Sequence, residues 1–295
     1  MTNKMKYAYY PGCVALSSGS ELDVSTRRVC KELAIDLVEI PEFSCCGAGV
    51  LDEVNSTLNT ALNARNLAIC EDRGLDMMTI CSTCQGMIMR SDNTLKNDVE
   101  LAKRVNKTLS TMSLEYTGKS KVRHLLMILA EDYGLEKLQD KVVRPLTGVN
   151  VAAFYGCHII RPGDVVQSDS DNPKVFEDLI SILGADPVWY DGRVKCCGFP
   201  VLYVKENVAN KMAGLNLLDA KASGADVMAT PCPLCHISLD TYQANAEAEV
   251  KNKIGLPVLH LPQLIGLALG IPDDELGIER HLTSAESFTS KIHRP

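Results

Sequence analysis

This chain has little of what marks an exported, membrane-bound or nucleic-acid-binding protein. Aromatic residues make up 5% of it, and tryptophan occurs once. Basic residues do not outnumber acidic ones, and the formal net charge is −7. Phosphate backbones and anionic lipid surfaces select for a basic excess, so neither is an expected partner. The amino terminus, MTNKMKYAYYPGC, has two lysines but no apolar stretch behind them, which predicts no secretory signal. The longest apolar stretch, residues 259–271, contains Pro262 and Gln263 and is too short to span a bilayer. A reducing, cytoplasmic location is therefore expected, where structural disulfides are rare.

Twelve cysteines in such a chain need another explanation. Metal, cluster or catalytic thiol chemistry are the options. Ten of the twelve form two copies of one pattern. The first copy is Cys13, 31 residues, Cys45-Cys46, 34 residues, then Cys81-x-x-Cys84. The second is Cys157, 38 residues, Cys196-Cys197, 34 residues, then Cys232-x-x-Cys235. The flanks repeat too. Gly12 and Gly156 precede the first cysteines, and Gly47 and Gly198 follow the pairs. VRHLLMIL around His124 mirrors VLHLPQLI around His260. Matched positions with matched flanks predict an internal duplication. The seam falls at residues 142–148, punctuated by Pro145 and Gly148. Two domains are expected, 1–146 and 147–295.

In each copy the cysteines follow short apolar runs. KYAYY leads to Cys13 and VAAFY to Cys157. DLVEI and PVWY precede the two cysteine pairs, and MMTI and DVMAT lead into the CxxC motifs. Runs of this length closed by Gly or Pro suit strands. Apolar spacing near 3.6 predicts helices over 21–33, 55–73, 174–183 and 209–222. Alternating strands and helices imply an α/β fold with parallel sheets. Ligands of such sheets bind beyond the carboxyl ends of the strands, so the five cysteines of a copy should converge on one edge. Gly47 and Gly198 are expected to let the backbone approach a bulky group there. The first copy has about 15 extra residues before His124, and 93–111 is expected to form one lengthened, exposed helix. His124 and His260 are expected to mark strand-to-helix junctions.

Five convergent thiols overshoot a zinc ion, which takes four ligands. A thioredoxin-like CxxC reading leaves three cysteines of each copy idle. Iron–sulfur clusters are held by cysteine thiolates, and an adjacent pair suits a large multi-iron group better than one small ion. Cys30 and Cys70 lie in helix-like segments and read as buried packing thiols.

In this arrangement the chain resembles the CCG-domain family over nearly its whole length. With nothing else attached, it is similar to the B subunits of heterodisulfide reductase from methanogenic archaea. The resemblance implies a noncubane 4Fe-4S cluster in each half. Cys13, Cys45, Cys46, Cys81 and Cys84 would hold one, and Cys157, Cys196, Cys197, Cys232 and Cys235 the other. It implies reductive cleavage of the coenzyme M–coenzyme B disulfide between two facing clusters, each taking one sulfur. It also implies electron delivery from a C subunit with cubane 4Fe-4S clusters, fed by a flavin-containing A subunit, with hydrogenase or formate dehydrogenase in a larger assembly.

CCG domains also occur in glycolate and lactate oxidation subunits, in thiol:fumarate reductase and in one type of succinate dehydrogenase. Several of these carry a ferredoxin-like CxxCxxCxxxCP run, which this sequence lacks. That favours a dedicated B subunit whose ferredoxin-like clusters sit on a partner. A CCG subunit passing electrons between a hydroxy acid or succinate system and quinone remains open, as does a zinc-binding scaffold. An anionic disulfide would need local cations. His158, next to Cys157, is the candidate catalytic residue, as a donor to cluster sulfide or a departing thiolate. Arg161, Arg193 and Lys195 are the candidate substrate-binding residues. The tail after Gly277 is polar, which leaves open whether it docks or frays.

Overall fold

The computed structural model describes residues 5–161, 163 and 171–292. It contains two four-stranded parallel sheets. The first holds β1 (Lys6–Tyr10), β2 (Asp36–Glu39), β3 (Asp76–Thr79) and β4 (Val122–His124), in the order β2-β1-β3-β4. The second holds β5 (Asn150–Ala153), β6 (Asp186–Val188), β7 (Val227–Thr230) and β8 (Val258–His260), in the order β6-β5-β7-β8. The two orders are the same, as a duplication requires. The central strands are buried on both faces, which explains why they read as apolar runs rather than as an alternation.

Both sheets reverse direction at the same place. The chain leaves β1 for one neighbour and returns to its other side at β3; β5 and β7 repeat this. The crevice beyond β1 and β3, and beyond β5 and β7, is thus the topological switch point. Register keeps the strand ends level: Tyr10 faces Thr79 and Thr79 faces His124, while Thr230 faces His260. The loops carrying the cysteines leave from these ends.

The helices fall where the apolar spacing places them: Ser20–Glu32, Ser56–Asp72, Val175–Ile182 and Glu206–Ala222. Asn55 starts the second by accepting a hydrogen bond from the Leu58 amide at 3.0 Å. The helix Ser20–Glu32 buries Leu22, Val29 and Cys30, and packs on Leu261–Ala268 of the other half. Burying side chains of this kind stabilises by about 2 kcal/mol each. Buried side chains of both halves belong to common clusters, so the two sheets share cores.

The segment 93–111 differs from the expectation. It is two helices, Ser82–Asn97 and Val99–Leu109, broken at Asp98. The Asp98 carboxylate accepts from the Leu101 amide at 2.9 Å and so caps the second helix instead of extending the first. Nor is that second helix fully exposed: Leu101, Val105 and Leu109, four apart, are buried against the core.

The polar tail docks. Ile278, Ala285 and Phe288 are buried, and the Asp240 carboxylate accepts from the Leu282 and Thr283 amides at 2.9 and 3.0 Å. Lys291 pairs with Asp226 at 2.7 Å. The final three residues lie outside the described ones. Among the described residues, no helix is long and apolar enough to cross a membrane.

Candidate metal centre

The ten patterned cysteines form one series of neighbouring sulfurs. Cys13 Sγ lies 4.0 Å from Cys45 Sγ, and Cys46 Sγ lies 3.4 Å from Cys84 Sγ. Hydrogen bonds between thiols join Cys45 to Cys46 and Cys84 to Cys81. Cys81 then meets Cys232 across the boundary between the halves. From Cys232 the series runs through Cys235, Cys197 and Cys196 to Cys157. The order 13-45-46-84-81 is followed by 232-235-197-196-157, its mirror image position by position. The two halves therefore face each other about a pseudo-twofold axis through the Cys81–Cys232 contact.

Burial grades along the series. Cys81, Cys84, Cys232 and Cys235 are buried in the middle, while Cys13 and Cys45 are exposed at one end. Cys157 and Cys196 are half-buried at the other. Each CxxC opens a helix. Cys81 is the N-cap of Ser82–Asn97, its sulfur accepting from the Cys84 amide at 3.4 Å. Cys232 holds the same position before Pro233–His236, with proline suited to the first helical turn. Gly12 and Gly156 allow the closest approach. A Cβ on Gly12 would stand 3.1 Å from Cys84 Sγ, and one on Gly156 would stand 2.8 Å from Cys235 Sγ. Gly47 and Gly198 bring their amides within 3.5 and 3.4 Å of Cys45 Sγ and Cys196 Sγ, and they meet a second need as well. Both have positive φ, and a Cβ there would strike Asn59 and Ala209 on the following helices.

Hydrogen bonds between the thiols divide the series into two sets. Cys46, Cys196 and Cys232 are held below the ordinary thiol range, chiefly by hydrogen bonds from neighbouring thiols. Those neighbours, Cys45, Cys84, Cys157, Cys197, Cys81 and Cys235, are held above it by the same hydrogen bonds and by burial. Ten sulfurs this close ionise together only with cations among them. Five thiolates per half exceed a tetrahedral zinc site, and the donor set fits iron–sulfur chemistry. Cys30 and Cys70 behave otherwise. Each is buried alone in a helix, its thiol pushed up to about 12 by desolvation. They are packing residues, as expected.

The non-cysteine candidates divide. His158 comes to the seam between the two sets, with Nδ1 3.0 Å from Thr83 Oγ1, and burial lowers its pKa. Arg193 is buried and already engaged. It donates to Glu177 Oε1 at 2.9 Å, to the Pro173 carbonyl at 2.7 Å and to Asn172 Oδ1 at 2.6 Å, and stacks on Trp189. That guanidinium holds this corner of the fold together instead of facing the crevice. Arg161 donates to the Val194 carbonyl at 3.0 Å and is exposed, as is Lys195.

His124 and His260 stand at strand-to-helix junctions as expected, but their partners differ. His124 Nδ1 accepts from the Leu126 amide at 3.0 Å, and Nε2 reaches the Pro231 carbonyl at 2.9 Å across the boundary. His260 Nε2 lies 3.2 Å from Glu21 Oε1, also across the boundary, and its ring stacks on His236. Sequence reasoning missed Ser82 and Thr83, which touch the second half. Ser82 Oγ donates to the Pro231 carbonyl at 3.2 Å, and Thr83 Oγ1 lies 3.5 Å from Cys232 Sγ. The signal was present: the first CxxC reads CSTC and the second CPLC.

Comparisons with known proteins agree with the duplication. The family profile described as "Cysteine-rich domain" (CCG) matches residues 7–89 and again 151–240. The chain is 40% identical, over 95% of its length and 98% of the relative's, to the 8-methylmenaquinol:fumarate reductase membrane anchor subunit of Wolinella succinogenes. It is 32% identical to the B subunit of the ferredoxin/F(420)H(2)-dependent CoB-CoM heterodisulfide reductase of Methanosarcina acetivorans, over 98% of this chain and 97% of that one. It is 34% identical to a protein of Archaeoglobus profundus described as like the B subunit of heterodisulfide reductase, over 93% and 94%. Among solved structures, a hypothetical protein from Helicobacter pylori superposes with a TM-score of 0.76 at 16% identity. That match covers 96% of this chain and 53% of that one, so this chain spans about half of it, and the likeness concerns the fold alone.

Proposed function

Because the chain belongs to the CCG family of cysteine-rich proteins, together with the heterodisulfide reductase B subunits, we propose that it is the iron–sulfur subunit of a multisubunit oxidoreductase. The observation that carries this reading is the unbroken series of ten sulfurs, mirrored about Cys81 and Cys232. Cys13, Cys45, Cys46, Cys81 and Cys84 hold one noncubane 4Fe-4S cluster, and Cys157, Cys196, Cys197, Cys232 and Cys235 hold the second. When bound, the clusters supply one-electron redox steps at two adjacent centres. The protein's own part is placement. Level strand ends bring the thiolates together, and the buried CxxC loops exclude water from the middle. The exposed Cys13 and Cys45 turn that end toward a redox partner.

The finer reading we favour is electron transfer between a quinol and a fumarate or succinate system. The 40% identity to the Wolinella protein supports it. So do exposed apolar side chains that follow the cysteines in sequence: Leu16 after Cys13, Val50 and Val54 after Cys45-Cys46, and Tyr203 and Val204 after Cys196-Cys197. An apolar donor or an apolar partner face suits such surroundings better than a polyanion does. A second reading, cleavage of the CoM-S-S-CoB heterodisulfide, is supported by His158. It sits at the seam beside Thr83, with Arg161 and Lys195 as the exposed cations near Cys196.

One experiment separates the two. The native complex is purified through this chain and assayed both for quinol-dependent fumarate reduction and for heterodisulfide reduction. Fumarate reduction without heterodisulfide turnover supports the favoured reading. The opposite pattern replaces it with the second, and neither activity removes both.

A further inference from the structure

The duplicated halves differ at their point of contact. Between its cysteines the first CxxC carries Ser82 and Thr83, where the second carries Pro233 and Leu234. The first loop can therefore donate hydrogen bonds to the second, and the second cannot return them. Ser82 Oγ and His124 Nε2 both reach the Pro231 carbonyl, fixing the second loop against the first. Thr83 Oγ1 then lies 3.5 Å from Cys232 Sγ and 3.0 Å from His158 Nδ1.

The donors can be assigned. A cysteine that ligates iron is a thiolate and has no proton, so it accepts. The single Thr83 hydroxyl proton points to Cys232, and the Thr83 oxygen accepts in turn from His158 Nδ1–H. The line is His158 Nδ1–H, Thr83 O–H, Cys232 sulfur. Thr83 and Cys232 are both buried, so water does not compete.

Three kinds of backbone donor match in pairs between the halves. The Gly47 amide lies 3.5 Å from Cys45 Sγ, and the Gly198 amide lies 3.4 Å from Cys196 Sγ. The Cys84 amide serves Cys81 as the Cys235 amide serves Cys232. The Ala48 amide serves Cys46 as the Phe199 amide serves Cys197. These bonds act alike on both halves and cancel in the comparison. Thr83 has no counterpart, since Leu234 carries no donor.

We infer that Thr83 is a redox-positioning residue: supplied by the first half, its hydroxyl bond to Cys232 makes the cluster of the second half the easier of the two to reduce. A hydrogen bond to a ligand sulfur stabilises the negative charge that reduction adds. This inference rests on reading the ten cysteines as ligands of two clusters. An electron entering at the exposed Cys13–Cys45 end then runs downhill through the Cys81–Cys232 contact to the second cluster. A charge-assisted hydrogen bond of this kind shifts the electron's distribution between the two centres by roughly tenfold.

The test is a redox titration of the full-length, cluster-loaded protein followed by electron paramagnetic resonance. A Cys13→Ser variant, altering the ligand at the exposed end, marks which signal belongs to the first half. The unaltered signal should have the higher midpoint potential. Thr83→Val keeps the shape and removes the hydroxyl, so that potential should fall while iron content stays. Thr83→Ser should restore it. Leu234→Thr supplies a donor on the opposite face, and should raise the lower potential even if Thr83→Val proves unstable. Unchanged potentials in Thr83→Val and Leu234→Thr, with iron intact, overturn the inference and leave the cluster reading standing. A wild-type preparation unable to bind iron overturns the cluster reading, and this inference with it.

Discussion

Cys81 and Cys232 meet sulfur to sulfur at the boundary between the two halves, and each is the innermost member of its own set of five. Neither half builds this contact alone. It arises because both CxxC loops leave a central strand, β3 or β7, at level ends, and because the halves pack face to face. Removing either sulfur should therefore affect more than one centre. Cys81→Ala or Cys232→Ala is expected to lose about half of the iron, with altered spectra of the remaining centre. Iron quantitation and paramagnetic resonance on each variant check this.

Cys30 and Cys70 provide the contrast. Cys30→Ala and Cys70→Ala should keep full iron content and cost about 1 kcal/mol from the small cavities they leave. Iron analysis beside denaturant unfolding measures both quantities. Loss of iron would return these thiols to the metal site.

Arg193 holds Glu177 in a buried pair at 2.9 Å. Arg193→Ala leaves that carboxylate without its cation, and stability should fall by about 3–5 kcal/mol. Thermal and denaturant unfolding test the magnitude. An Arg193→Ala protein of normal stability with impaired substrate affinity would make it a binding residue instead.

The break at Asp98 makes a smaller claim. Asp98→Ala removes the acceptor for the Leu101 amide, and should destabilise by about 1 kcal/mol. Asp98→Asn or Asp98→Ser should recover most of it. Urea unfolding distinguishes the three variants.

Acid should destabilise the fold through its buried imidazoles. Desolvation lowers His124 and His281 to about 4, against about 6.5 in the unfolded chain. Between those values the unfolded state binds more protons, so stability is full above pH 6.5 and falls as the pH drops toward 4. Each contributes a slope of about 1.4 kcal/mol per pH unit in that window. His124→Gln should flatten the pH dependence of unfolding measured from pH 7 to 4.5. An unchanged slope would show that His124 titrates normally.

Much of this was legible in the sequence because the fold repeats itself. Matched spacings gave the duplication, and short apolar runs gave β1, β3, β5 and β7, since their length and the Gly or Pro that closes them suit buried strands. The cysteines followed from their place after those runs. Other features were hidden, because they depend on which surfaces meet. Arg193 looks like a free cation beside Cys196 until Glu177, more than a dozen residues away in sequence, is folded onto it. The Asp98 break competes with a helical pattern that continues on both sides. Thr83 gains its meaning only when its loop meets the loop of Cys232.

The central claim is that ten cysteines hold two iron–sulfur clusters in contact. The measurement that tests it most directly is iron and labile-sulfide content of the anaerobically purified protein, with paramagnetic resonance of the reduced form. The account predicts about eight irons per chain and two interacting signals. Zinc in place of iron, or a single magnetically isolated cluster, would contradict it.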